Sequence, residues 1–138
     1  MKPKNSFDKA ALTVVIFCAV LCIAFFPFLS DNIAIQWSGR NVSNTANRLF
    51  IFVLPLISLA LYLARFLLGS VFLAKRGINF GKEKLISYIA LWVDIILFSG
   101  TAVIILFDTG IYLPAGAVFP LEIIIGAILG FKIIRNGL

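Results

Sequence analysis

Three ionisable residues interrupt long apolar runs: Arg65, Asp94 and Glu122. A charge at the centre of a bilayer costs about 3 kcal/mol or more, so each demands a partner or a water-filled cavity. Arg65 stands ten residues before Lys75, Asp94 ten after Lys84, and Glu122 ten before Lys132. At about 1.5 Å of rise per helical residue, each falls roughly 15 Å from a basic flank, near mid-membrane. Matched depth on three helices predicts an intramembrane polar cluster in which Arg65 faces Asp94, with Glu122 nearby. One cation and two acids leave a formal charge of −1, so one carboxyl should be protonated or hydrogen-bonded. Two uses stay open: a polar site or proton-coupled switch, and an interhelical clasp that only fixes packing.

A second group of polar residues lies between apolar runs, from Asp31 to Arg48. Gln36, Trp37, Arg40, Asn41, Ser43 and Asn44 combine interfacial anchors with amides that can hydrogen-bond an extended chain, which is the chemistry of partner binding. The alternative is a Trp at headgroup level on a loop folded over the helices. Asn41-Val42-Ser43 also matches the glycosylation acceptor, a weak signal when alone.

Other chemistry is missing. The chain has no His and two Cys, Cys18 and Cys22, spaced i, i+4 inside the first apolar run. That spacing suits neither a disulfide nor a metal site and reads as small packing residues. No nucleophile–base pair, phosphate-binding glycine loop or metal-ligand cluster is present, so an enzyme is not expected, nor any cofactor or metal. The +6 net charge comes mostly from residues flanking apolar runs, a pattern of membrane topology and not of nucleic-acid binding.

The elements that must position these residues are membrane helices. The chain is 62% hydrophobic and 13% charged, with the apolar residues in runs and not in stripes. The expected fold is all-α: a polytopic membrane protein, one domain over 1–138, with spans near 11–29, 49–74, 85–107 and 111–131. The first run exceeds a signal-peptide core, and Phe25-Phe26-Pro27-Phe28 stands where small residues would be cleaved, so an uncleaved span is expected, with Pro27 at its end or at an interfacial bend. Ser43 to Asn47 offers N-caps for the second helix. Pro55 should kink that helix or free a carbonyl for a neighbour to satisfy. Asp108-Thr109-Gly110 marks a break. Pro114, Gly116 and Pro120 predict either a kinked fourth helix or a short hairpin leading into a helix from about Pro120. Gly126 and Gly130 form a GxxxG pair for helix packing, more naturally internal than homodimeric, though an oligomer stays possible.

Orientation follows from basic residues. Lys2, Lys4, Lys9, Lys75, Arg76, Lys82, Lys84, Lys132 and Arg135 fall on one side, against Arg40 and Arg48 on the other. Both termini are therefore expected to be cytoplasmic, with the polar loop 30–48 outside.

Leu29, Ile33, Ile35, Gln36-Trp37, Gly39, Val42-Ser43-Asn44 and Leu54-Pro55 carry a likeness. This stretch resembles the small membrane domain of unknown function at the N-terminus of SdpI-type bacterial immunity proteins. That pattern is a first span, a Leu-Pro-x-x-Ile-Pro-x-His-Trp/Phe-Asn-like loop with a Gly and a small polar cluster, then a span opening into Leu-Pro. Ser30 and Ala34 replace its two prolines, and Gln36 stands at its His. The likeness covers roughly residues 25–59, and the SdpI-type proteins are longer, with further spans. It implies protection of a Gram-positive bacterium against a secreted toxic peptide, as in bacteriocin resistance, or a signalling role. The leading expectation is a bacterial cytoplasmic-membrane protein of immunity or envelope-signalling type. Its outward loop would meet a peptide or protein partner, while membrane lipids surround the spans. The alternatives are a small transporter or accessory subunit using the Arg/Asp/Glu cluster, and a structural subunit of a larger complex.

Overall fold

Apolar runs form helices wherever their backbone groups have no water to bond, because a helix pairs its amides within itself. The computed structural model describes residues 6–76 and 80–135, with side-chain surroundings for 6–65 and 85–135. Four helices are long and apolar enough to cross a membrane: α1 (Ser6–Phe25), α2 (Val53–Arg76), α3 (Phe80–Asp108) and α4 (Ala115–Arg135). Lys2 and Lys4 lie outside the described residues, as do the side chains of the basic segment 75–84, whose placement on one membrane face was expected.

The polar stretch departs from the all-α expectation. It forms an antiparallel hairpin of β1 (Asn32–Ser38) and β2 (Asn41–Asn47). The cause is local. Ile33, Ile35 and Trp37 alternate with Ala34, Gln36 and Ser38, the period of a strand. Gly39 opens the two-residue connection at φ +64°, as the first central residue of a type II′ turn must. The register pairs Ser38 with Asn41 and Trp37 with Val42, then is interrupted around Ile35 and Ser43 before Ile33 meets Ala46. Of the expected caps, Ser43 to Thr45 are strand residues. Asn47 does cap: its Oδ1 accepts from the Leu49 amide at 3.0 Å, starting a 3-10 turn, Arg48–Phe52, that leads into α2.

Helix ends follow their local residues. α1 starts well before the expected Ala11 and stops at Phe25, where Pro27 sits in a 3-10 turn over Phe26–Phe28. α3 ends in a Schellman arrangement. Gly110, at φ +89°, donates to the Phe107 carbonyl at 3.0 Å, and Ile111 donates to that of Leu106 at 2.8 Å. α4 starts just after Pro114, whose carbonyl accepts from Ala117 and Val118 at 2.8 and 3.1 Å. It is one helix containing Pro120, not a hairpin followed by a helix.

Packing joins α1, α2 and α3, with α4 against α3. The buried face of α1 is Asp8, Ala11, Val15, Cys18 and Cys22, alternating steps of three and four as in a coiled-coil seam. Ile33 of β1 is fully buried with Cys22, Leu29, Ile51, Ile104 and Ile105, so the hairpin roofs one end of the three-helix seam.

Candidate functional site

α3 carries a polar residue at every seventh position, Ser87, Asp94, Thr101 and Asp108. Seven residues are nearly two turns, so these side chains share one face at intervals of about 10 Å, and together they span roughly the 30 Å of a hydrocarbon core. Each makes a contact with another element. At the lowest level the Arg65 guanidinium donates to the Ser87 hydroxyl and forms an ion pair with Asp8 of α1. One level up, Ser58 of α2 donates to Asp94 Oδ1. Next, Cys18 Sγ lies 3.5 Å from Thr101 Oγ1, while Thr101 donates to its own helix at Leu97. At the top, the Ser30 amide and hydroxyl donate to the two carboxylate oxygens of Asp108 at 2.8 and 2.9 Å.

The expected cluster is divided: Arg65 takes Asp8 as its ion-pair partner while its charge still acts on Asp94, and Glu122 is held by Ser99. Arg65 pairs with Asp8, which is fully buried in α1 and not in a solvated N-terminal segment. Along α3 the contact of Arg65 is two turns below Asp94. Counting from basic flanks placed the two at one height because it did not locate the true start of α3, at Phe80. Glu122 matched in depth but not in direction. It accepts from Ser99, five residues beyond Asp94 and so about 140° further around α3, on the side that faces α4. Asp94 Oδ2 and Glu122 Oε2 are buried and have no hydrogen-bond partner among the described residues.

Glu122 belongs to an apolar groove of about 400 Å³ between α3 and α4, lined by Tyr88, Trp92, Ile96, Gly126 and Gly130 among others. Here the GxxxG pair has an internal use. A Cβ at Gly126 would stand 3.0 Å from the Trp92 ring, and one at Gly130 3.0 Å from that of Tyr88. Tyr88 also donates to the Gly126 carbonyl at 2.6 Å.

The carbonyl that Pro55 frees lies four residues back, at Ile51, and the Cys22 thiol is 3.5 Å from it. Cys22 thus packs and weakly donates at once.

On the hairpin, the expected binding residues divide. Gln36, Arg40, Asn41, Ser43 and Asn44 are exposed. Trp37 is half-buried, edge-on to Phe107 at 5.4 Å, and its buried indole nitrogen has no hydrogen-bond partner among the described residues. Arg40 stacks over Tyr112 at 5.7 Å, and the Tyr112 hydroxyl donates to the Gly39 carbonyl at 3.1 Å. Asn44 turns back to accept from the Thr45 amide at 2.9 Å. Arg48 lies 3.6 Å from Asp31 and over the Phe26 ring at 5.1 Å. So β1 is the supporting strand and β2 the presented one: every β2 residue but Ala46 is exposed.

Asp8, Ser58, Ser87, Ser99, Thr101 and Tyr112 escaped the sequence reading, and Asp108 was read only as part of a break. Intervals of seven on α3 were a signal for three of them, visible once a polar residue is treated like an apolar one in a heptad.

The fold and site describe a mostly helical chain with four membrane-compatible helices, a polar three-helix seam and a hairpin across one end. No family model matches it, and neither a curated protein nor a solved structure matches it either.

Proposed function

We propose that this chain is a bacterial cytoplasmic-membrane protein of immunity or envelope-signalling type that captures an extended peptide segment on the outer edge of β2. One observation carries the reading: a strand exposed along its length, with a strand on one side only among the described residues. A free strand edge is a template for a further strand, whose main chain supplies affinity and whose side chains supply selectivity. The bundle holds that edge in place. Burial of Ile33, the Trp37–Phe107 contact and the Ser30–Asp108 bonds fix β1, so capture costs little ordering of the receptor. Arg40 has no ion-pair partner among the described residues and is free to take a carboxylate of the peptide. The distribution of basic residues favours an outward-facing hairpin, where a secreted toxic peptide would arrive, and the likeness to the SdpI-type domain supports the same role.

The test is a deletion strain challenged with peptides secreted by competing bacteria. Deletion should sensitise, and the wild-type chain should restore resistance. Ser43→Pro should fail to restore it while reaching the membrane at wild-type level, because proline removes an amide and blocks a neighbouring strand. Full rescue by both Ser43→Pro and Arg40→Ala would defeat the reading. A transport subunit is the second reading, favoured by the four polar levels of α3. It requires flux in reconstituted vesicles that Asp94→Asn abolishes.

A further inference from the structure

We infer that Asp94 is a reversible proton-binding site inside the three-helix seam, with the proton carried on Oδ2. The side chain is 1% exposed. Its Oδ1 accepts from the Ser58 hydroxyl, while Oδ2 is enclosed and has no hydrogen-bond partner among the described residues. That division fits a neutral carboxylic acid, with Oδ1 as carbonyl oxygen taking the serine hydrogen bond and Oδ2 bearing the proton. Binding is simple in its balance: hydronium gives one proton to the carboxylate and leaves as water.

Among the described residues, the titratable and charged groups on the helices packed against α3 are Asp8, Lys9, Cys18 and Cys22 on α1, Tyr62 and Arg65 on α2, and Glu122, Lys132 and Arg135 on α4. Arg65 is paired with Asp8 one level below, about 10 Å along the helix. Cys18 faces Thr101 one level above, and Cys22 faces the Ile51 carbonyl. Tyr62 packs with Ala11 and Val15. Glu122 is on the other side of α3, against Ser99. No group of three acidic or thiol ligands that would hold a metal exists among the described residues. A carboxylate this enclosed, with a single hydroxyl donor on one oxygen, is costly to keep charged, and the group takes up a proton instead. Loss of the proton then requires water to reach the seam, which means parting α2 from α3 at Ser58. Occupancy of Asp94 thereby sets how tightly these two helices close. This inference does not depend on peptide capture by the hairpin.

Infrared difference spectra of the full-length protein in lipid, taken between acid and alkaline pH, test it. The wild type should show a carbonyl stretch of a protonated carboxyl that appears and disappears reversibly. Asp94→Asn should lose it, Glu122→Gln should keep it, and Ser58→Ala should keep it at a higher frequency, because the carbonyl loses its hydrogen bond. Absence of a reversible band in the wild type overturns the inference, as does a difference spectrum that Asp94→Asn leaves unchanged. Asparagine preserves volume and the acceptor for Ser58. If that variant nonetheless fails to fold, the Ser58→Ala spectrum decides, and an unshifted band overturns the assignment.

Discussion

The two sides of α3 are built on different principles. Toward α1 and α2 it presents hydroxyls and carboxylates every seventh residue, each tied to another element, and the hairpin closes the top. Toward α4 it presents Trp92 and Tyr88 to two glycines, and Gly126 and Gly130 are the only buried residues of α4. Lipid tails are as apolar as leucine, so burial of hydrocarbon alone does not choose between helix partners in a membrane. The first side obtains specificity from polar pairs that would be stranded if the helices slid. The second obtains it from shape, with close approach at glycine and a single tyrosine hydroxyl. A polar seam sets register and height, whereas a glycine seam sets distance.

The largest blow to this contrast should come from the lowest level of the polar seam. Arg65→Ala removes the cation paired with buried Asp8 and should cost about 3–5 kcal/mol, read as early thermal unfolding in detergent. Exchanging the two charges, with Asp8→Arg and Arg65→Asp together, should recover part of it. An Arg65→Ala protein as stable as the wild type would remove the basis for calling this seam polar. On the other side, Gly126→Ala forces the Trp92 ring to move and should cost about 1–3 kcal/mol. Hydrogen exchange should accelerate in α4 and leave α1 unchanged. Smaller still, Ser30→Ala removes one of two donors to Asp108, about 1 kcal/mol. Faster exchange of the hairpin amides, with no change in bundle unfolding, would separate the roof from the seam. The smallest effect belongs to Cys22→Ala, under about 1 kcal/mol, because a thiol is a weak donor. Pro55→Ala in the same chain should erase that loss, since it returns an amide to the Ile51 carbonyl.

How much was legible depended on the kind of information each feature needs. The four apolar runs declare themselves by length, and Pro27, Asn47, Gly110 and Pro114 mark ends through effects confined to a few neighbouring residues. The hairpin was also local, in the alternation of Ile33, Ile35 and Trp37 and in Gly39, but a segment read only as polar hid it. The charged cluster failed for another reason. Depth along a membrane normal can be counted from flanking lysines, while direction around a helix cannot. Asp94 and Ser99 differ by five residues and look toward different helices, so Glu122 and Arg65 never share a site. Asp8 was overlooked because lysines on both sides, Lys4 and Lys9, made its segment look solvated.

By itself the order of residues determined where hydrocarbon is continuous enough for a helix to cross a bilayer, where glycine and proline end those helices, and that the ionisable residues within them need partners. These follow from backbone hydrogen bonding and desolvation, which act over a turn or two. Tertiary structure alone decided which partners they took: Asp8 for Arg65, Ser58 for Asp94, Ser99 for Glu122, Ser30 for Asp108. Each pairing joins residues far apart in the chain, and only the rotation and relative height of packed helices bring such residues within reach of a hydrogen bond.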